Sequence, residues 1–254
     1  MMIKKMTDED YFSIDAISNS KLSAFNRCPA NLFIEKDNTP QMSLGTLAHA
    51  MILEGPRVFQ ERFVAVPKVD RRTKEGKAAW EKALVSAGNK TLVTVEDLQL
   101  VAGMAESVKN HPFASELVTG GKEEIAVTWD IDGVQCKAKV DYLKTTLNGI
   151  PMNVLVDLKT TQSADIRKFG NKTIFDSGYD RQMAFYNDGL VQNLYAPQAV
   201  YIVAVENTAP FTCNVFDMSE CLERGRNRYM RIFKDYVTCK NSNVFLKDSH
   251  IYVS

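Results

Sequence analysis

The sequence has no CxxC pair, no run of about 18 apolar residues and no excess of either charge. Each absence excludes something. Five scattered cysteines (Cys28, Cys136, Cys213, Cys221 and Cys239) are an odd set without metal-ligand spacing. Neither a zinc site nor a disulfide framework is indicated, and the expected compartment is a reducing cytoplasm. No transmembrane span is expected. The opening MMIKKMTDEDYF lacks the apolar stretch of a signal peptide. Lys plus Arg and Asp plus Glu balance at 31 each, so bulk charge does not advertise a polyanion binder. Any such binding must come from local patches. Internal repeats and low-complexity stretches are also missing.

What is present suits a folded α/β domain. With 254 residues and 45% hydrophobic composition the chain can bury a large core. One domain is expected over 1–254. Residues 1–120 read as mainly helical, 121–217 as sheet and helix, and 218–254 as a helix and tail. Ile17-Ser18-Asn19-Ser20 reads as the cap of a helix that should stop near Arg27-Cys28-Pro29. LGTLAHAMIL, from Leu44 to Leu53, reads as a strong helix carrying His49, with Gly45 one turn before it to permit close approach. Phe59 to Pro67 reads as a short, weakly alternating strand. Lys68, Arg71, Arg72, Lys74, Lys77 and Lys82 form a basic stretch feeding a helix. It is a solvated face or a phosphate-contacting patch. Thr94 caps a helix to Lys109, and Phe113 to Val118 forms another.

From Glu123 the period changes to two. Ile125, Val127, Trp129 and Ile131 alternate with polar neighbours, Asp132-Gly133 is a hairpin turn, and Val134 to Val140 returns. Asp141 breaks that pattern at its end. A second turn at Leu147 to Pro151 leads into Met152 to Leu158, completing an antiparallel meander of three strands. The polar stretch from Gln162 to Ser177 carries Arg167, Lys168 and Lys172 and reads as a functional loop with a short helix. Tyr179 to Leu194 is a helix, with Met183, Tyr186, Leu190 and Leu194 facing one way and Gln182 adjacent to Tyr186. Ala199 to Val205 is a buried strand best paired in parallel through a helix crossover. Phe211 to Phe216 is a further strand. Ser219 to Lys240 is a long helix with Arg224, Arg228 and Arg231 at helical spacing. They line a nucleic-acid channel, touch another subunit or face solvent.

The chemistry lies in the meander. Asp157 and Lys159 share one face of a strand and Leu158 points away. A charged pair ending so apolar a strand needs a reason. With Asp141 at the end of the neighbouring strand, two carboxylates and an amine converge. That set suits phosphodiester hydrolysis, where a divalent cation screens developing charge and activates water. Mg²⁺ prefers a few carboxylates plus waters, which fits Asp141 and Asp157. The Leu158 carbonyl could add an oxygen. Lys159 would position or deprotonate the water. An ordinary core histidine is the common explanation of His49. As a ligand it would favour Mn²⁺ as well as Mg²⁺.

The D…DxK pattern followed by Q-x3-Y resembles the PD-(D/E)xK nucleases of the RecB-like branch. Within that branch, ISNSKLSAF, LGTLAHAMILEG, RRTKEGK, EEIAVTW, CKAKVDYL, VDLKTT and QMAFYNDG are similar to RecE-type exodeoxyribonucleases. The resemblance spans nearly the whole chain. It implies a nuclease core with a mixed sheet flanked by helices and an N-terminal helical elaboration. It also implies a Mg²⁺-dependent 5′-to-3′ exonuclease on duplex DNA, working beside a single-strand-annealing recombinase, as a tetrameric ring around DNA. Position by position, it places His49, Asp141 and Asp157 as metal ligands and Lys159 as the catalytic lysine. Gln182 and Tyr186 support site and DNA, and Glu124 matches an acidic position. Val140 replaces the proline of the PD signature, which only shapes the strand. Some relatives carry an iron–sulfur cluster. Cys28 fits its first position, but Cys213, Cys221 and Cys239 are spaced too widely, and no cluster is expected. The rival readings are a single-strand or structure-specific nuclease using the same site, and a non-catalytic DNA-end-binding or recombinase-loading module.

Overall fold

The computed structural model describes residues 2–34, 40–70 and 72–245. Its centre is a six-stranded sheet in the order β1-β4-β5-β6-β7-β8. The alternating stretch supplies β4 (Lys122–Ile131), β5 (Val134–Leu147) and β6 (Ile150–Thr161). Two-residue turns join them. Asp132-Gly133 and Asn148-Gly149 both have positive φ at each position, as right-handed strand twist requires of such turns. β7 (Ala199–Glu206) runs parallel to β6 after a helical crossover, and β8 (Cys213–Asp217) returns antiparallel to it. β1 (Met2–Lys5) pairs with β4 at the other edge. The sheet is therefore mixed and flanked by helices on both faces.

Alternation divides the core into two layers. Over one face, Ile125, Val127, Trp129, Leu155, Val200 and Ile202 pack with α2 (Asn19–Arg27), α9 (Tyr179–Gln192) and α10 (Leu222–Ser242). Over the other, Val154, Val156, Leu158, Val203 and Val205 pack with α3 (Pro40–His49), α4 (Pro56–Arg62), α6 (Val95–Asn110) and α7 (Pro112–Leu117). Leu158 thus lies on the face opposite Asp157 and Lys159. Further α-helices among the described residues are α1 (Asp8–Ser13), α5 (Lys74–Ala87) and α8 (Ile174–Asp176). Among the described residues no helix is long and apolar enough to cross a membrane.

The structure differs from the sequence reading at several places. Asp141, Asp157 and Lys159 do not end their strands. β5 continues to Leu147 and β6 to Thr161, because each charged residue finds partners inside the fold. The helix read from Leu44 starts at Pro40 and widens into a π turn over Ala50–Glu54. Phe59 is helical, and only Phe63–Val66 (β2) is a strand. It pairs in parallel with Thr91–Thr94 (β3), a strand that periodicity missed. The segment after β6 is helical over Ile166–Thr173, in π geometry that runs into α8. Leu194 lies beyond the end of α9, at positive φ and 97% exposed, so it does not join Met183 and Leu190 in the core.

Candidate metal centre and active-site cleft

Strands β5 and β6 pair from the Leu147–Ile150 end only as far as Tyr142–Val156. Beyond that point they part. β5 stays with β4, and β6 goes on with β7 from Asp157 to Thr161. Asp141 and Asp157 are the first residues past the last shared pair, so the fork itself brings them together. On the freed edge of β5, Ile17 fills the gap: its N–H donates to the Gln135 carbonyl at 2.9 Å and its carbonyl accepts from Lys137 N–H at 2.8 Å.

Splitting a sheet exposes backbone groups that need partners. The Leu158 N–H, left without a strand on that side, donates to Asp141 Oδ2 at 2.8 Å. His49 Nε2–H donates to the Leu158 carbonyl at 2.9 Å. The backbone oxygen read as a further cation ligand is therefore engaged by His49. This bond fixes which ring nitrogen points away, a second-shell arrangement common at metal-ligating histidines. Nδ1 then faces Asp141 Oδ2 at 3.7 Å and Glu124 Oε1 at 3.8 Å.

Glu124 reaches that point through an unusual backbone. It lies opposite Asp141 between the Glu123–Tyr142 and Ile125–Val140 pairs, with φ at +56°. A left-handed glutamate inside a strand is uncommon and such conformations concentrate at functional sites. On the partner strand the alternation also shifts: Val140 and Leu143 join one core layer and Tyr142 the other. Lys139 Nζ then clamps Glu124 Oε2 at 2.5 Å and Asp8 Oδ1 of α1 at 2.5 Å.

One ligand atom each from His49, Glu124 and Asp141 lies within 4.8 Å of the others. Asp157 is outside that trio. Its Oδ1 accepts from Gln182 Nε2 at 3.0 Å, and Gln182 Nε2 also donates to the Tyr186 hydroxyl at 3.1 Å. Asp157 is fully buried, and its Oδ2 lies 2.5 Å from Lys159 Nζ without an aligned hydrogen bond. A carboxylate buried this deeply is costly unless its charge is compensated. Together with an imidazole and two more carboxylates, it fits a hard divalent cation taking oxygen and one nitrogen ligand.

The charges are strongly coupled. Burial and the Asp157 charge push Asp141 up to about 6. Burial works against the His49 imidazolium, but Asp141 and Glu124 outweigh it and hold His49 at about 9. Burial raises Glu124 too, yet its bonds to His49 and Lys139 win and bring it down to about 2. Lys159 is raised in the same way, burial opposing and Asp157 and Asp141 prevailing.

A cleft of about 530 Å³ opens beside the fork, lined among others by His49, Lys159, Lys168, Thr173 and Tyr179. Of the expected DNA-contacting residues, Lys168 reaches this cleft. Arg167 is exposed elsewhere on the same segment. Arg72 is exposed and bonded to Asp70, Lys74 is exposed at the start of α5, and Arg71 lies outside the described residues. Gly45 lines the cleft, but a methyl there would meet Thr160 Oγ1 at 3.5 Å, an ordinary contact, so no special closeness depends on it. In the arginine stripe, Arg228 is bound to the buried Asp180 at 2.7 Å and Arg224 stacks 4.1 Å from the Phe175 ring centroid. Sequence reasoning missed Lys139 as a clamp, although its place two residues before Asp141 was a signal. It also missed Tyr179.

Residues 18–249 match the model of a PDDEXK-like domain of unknown function (DUF3799). No curated protein matches the chain. Among solved structures, the crystal structure of a candidate exonuclease from Eubacterium rectale superposes with a TM-score of 0.66 at 15% identity, covering 98% of this chain and 91% of that one. The crystal structure of SSO0001 aligns over 86% of this chain and 82% of its own at 14% identity, with a TM-score of 0.31 too low to carry an argument.

Proposed function

The chain belongs to this PDDEXK-like family (DUF3799), and from that premise we propose that it is a metal-dependent nuclease, specifically a 5′-to-3′ exonuclease of RecE type acting on linear duplex DNA. One observation carries the reading. At the β5–β6 fork, His49, Glu124 and Asp141 converge and the buried Asp157 pairs with Lys159. Those four acidic and imidazole side chains would hold Mg²⁺, with Mn²⁺ a workable substitute. When bound, the cation supplies Lewis-acid screening of the phosphate and a lowered water pKa.

The chain's own residues supply the rest. Lys159, held charged at the cleft wall, offers an ammonium to a non-bridging phosphate oxygen as negative charge grows there. Gln182 and Tyr186 keep Asp157 in one rotamer, so the reacting phosphate meets a preorganised site. Lys168, also lining the cleft, offers a second ammonium to a backbone phosphate. The resemblance to RecE-type enzymes, and the name given to the Eubacterium rectale protein, support an exonuclease. A tetrameric ring and a single-strand-annealing recombinase partner follow from that resemblance.

The test is digestion of duplex labelled at the 5′ or 3′ end, with Mg²⁺ or chelator, beside a closed circle and a single strand. Early release of the 5′ label, retention of the 3′ label on a single-stranded product and resistance of the circle are expected. Equal cutting of circle and linear DNA would favour a structure-specific enzyme. Binding without any cleavage would favour a non-catalytic end-binding module.

A further inference from the structure

Lys159 is held in an unusual way. Its ammonium touches only one oxygen of Asp157, and that contact lacks hydrogen-bond alignment. On another side it lies 4.9 Å from the centroid of the Tyr179 ring. Tyr179 is the first residue of α9, preceded by Gly178 in the left-handed conformation. That glycine sets the entry of the helix, and the ring stands in the cleft wall between Lys159 and Phe169, whose centroid is 6.0 Å from it. Phe169 is fully buried, so the ring is backed by fixed packing.

We propose that Tyr179 is a positioning residue for Lys159: its ring face gives the ammonium a second seat at the cleft wall beside its pairing with Asp157. The inference rests on the nuclease reading. Its physical basis is a conflict. A lysine held only by Asp157 must compete with any cation for the same oxygen. An aromatic face attracts an ammonium at this range but offers nothing to a strongly hydrated divalent ion. The lysine can then remain beside the reacting phosphate while Asp157 is engaged otherwise. Ring electrons are needed for this, and the hydroxyl is not. Tyr179→Phe should therefore behave like the native protein and Tyr179→Leu should not.

Two measurements test it. With lysine labelled by ¹³C at Cε, the metal-free protein should show a ring-current-shifted Cε–H signal that is lost in Lys159→Arg, separate from that of Lys137, whose ammonium lies 4.7 Å from the Tyr11 ring centroid. Tyr179→Phe should keep that shift and Tyr179→Leu should abolish it. In steady-state digestion with Mg²⁺, Tyr179→Leu should lower kcat about tenfold at unchanged KM, in the range a desolvated cation–π contact contributes, and Tyr179→Phe should restore it. An unshifted Lys159 signal in the native protein would overturn the proposal. So would a Tyr179→Leu enzyme as fast as native, or one whose loss Tyr179→Phe fails to restore, where Lys159→Ala is inactive. If native protein and Lys159→Ala are both inactive, the nuclease reading itself fails, and the ring-current result still decides the contact.

Discussion

His49 and Asp141 carry the pH behaviour of the site. Both are raised, to about 9 and about 6, so in the absence of a cation the folded protein holds protons that the unfolded chain would release. The stability these groups contribute is whole at low pH. It is lost as pH rises, first through about 6 for Asp141 and then through about 9 for His49. Cation ligands must be deprotonated. Binding of Mn²⁺ should therefore expel about one proton near pH 7.5, and apparent affinity should climb between roughly pH 6 and 9. Titration calorimetry in buffers of differing ionisation enthalpy measures this. Proton-neutral binding over that range would mean that His49 is not displaced of its proton. Glu124, already low, contributes nothing to this release. Lys139→Met should free the Glu124 side chain and weaken Mn²⁺ binding about tenfold, the usual loss for an outer-shell partner.

The elements place these side chains through close helix packing. A methyl on Gly225 of α10 would lie 2.1 Å from the Asp180 carbonyl of α9, and one on Gly189 of α9 would lie 2.6 Å from the Trp129 ring. Backbone and a buried ring cannot give way cheaply. Gly225→Ala should cost about 2 kcal/mol despite the better helix propensity of alanine, read as a lower urea midpoint at unchanged slope. A native midpoint would show that α10 is free to shift. Much of this scale was legible in the sequence. The two positive-φ turns, the alternation of β4 and β5, the parallel β7 and the Ser18 and Thr94 caps all follow from local chemistry. The fork was not legible. A period of two assigns faces but does not say where a strand changes partners, so Asp141 and Asp157 read as strand ends. β3 was hidden, and β2 was read too long, because four-residue strands carry little periodicity. The left-handed backbone of Glu124 had no local signal at all, since glutamate does not announce positive φ.

For the whole molecule, balanced charge means that any affinity for DNA must be local. Lys168 is the lysine of the cleft lining other than Lys159. Lys168→Ala should weaken binding of a duplex end and reduce the log–log salt slope by about 0.9, measured by fluorescence anisotropy without a cleavage-supporting metal. An unchanged slope would put the DNA path elsewhere, with the Arg231 side of α10 the next surface to examine.

The fork of β5 and β6 brings Asp141 and Asp157 together beside the cleft. Its most direct test is degradation of a linear duplex in Mg²⁺ by native protein and by Asp157→Ala, with folding confirmed by circular dichroism. Rapid degradation by the native protein, abolished by chelator and reduced at least a hundredfold by Asp157→Ala (~3 kcal/mol of barrier), is the predicted result. A folded Asp157→Ala protein that degrades the duplex at the native rate would contradict it.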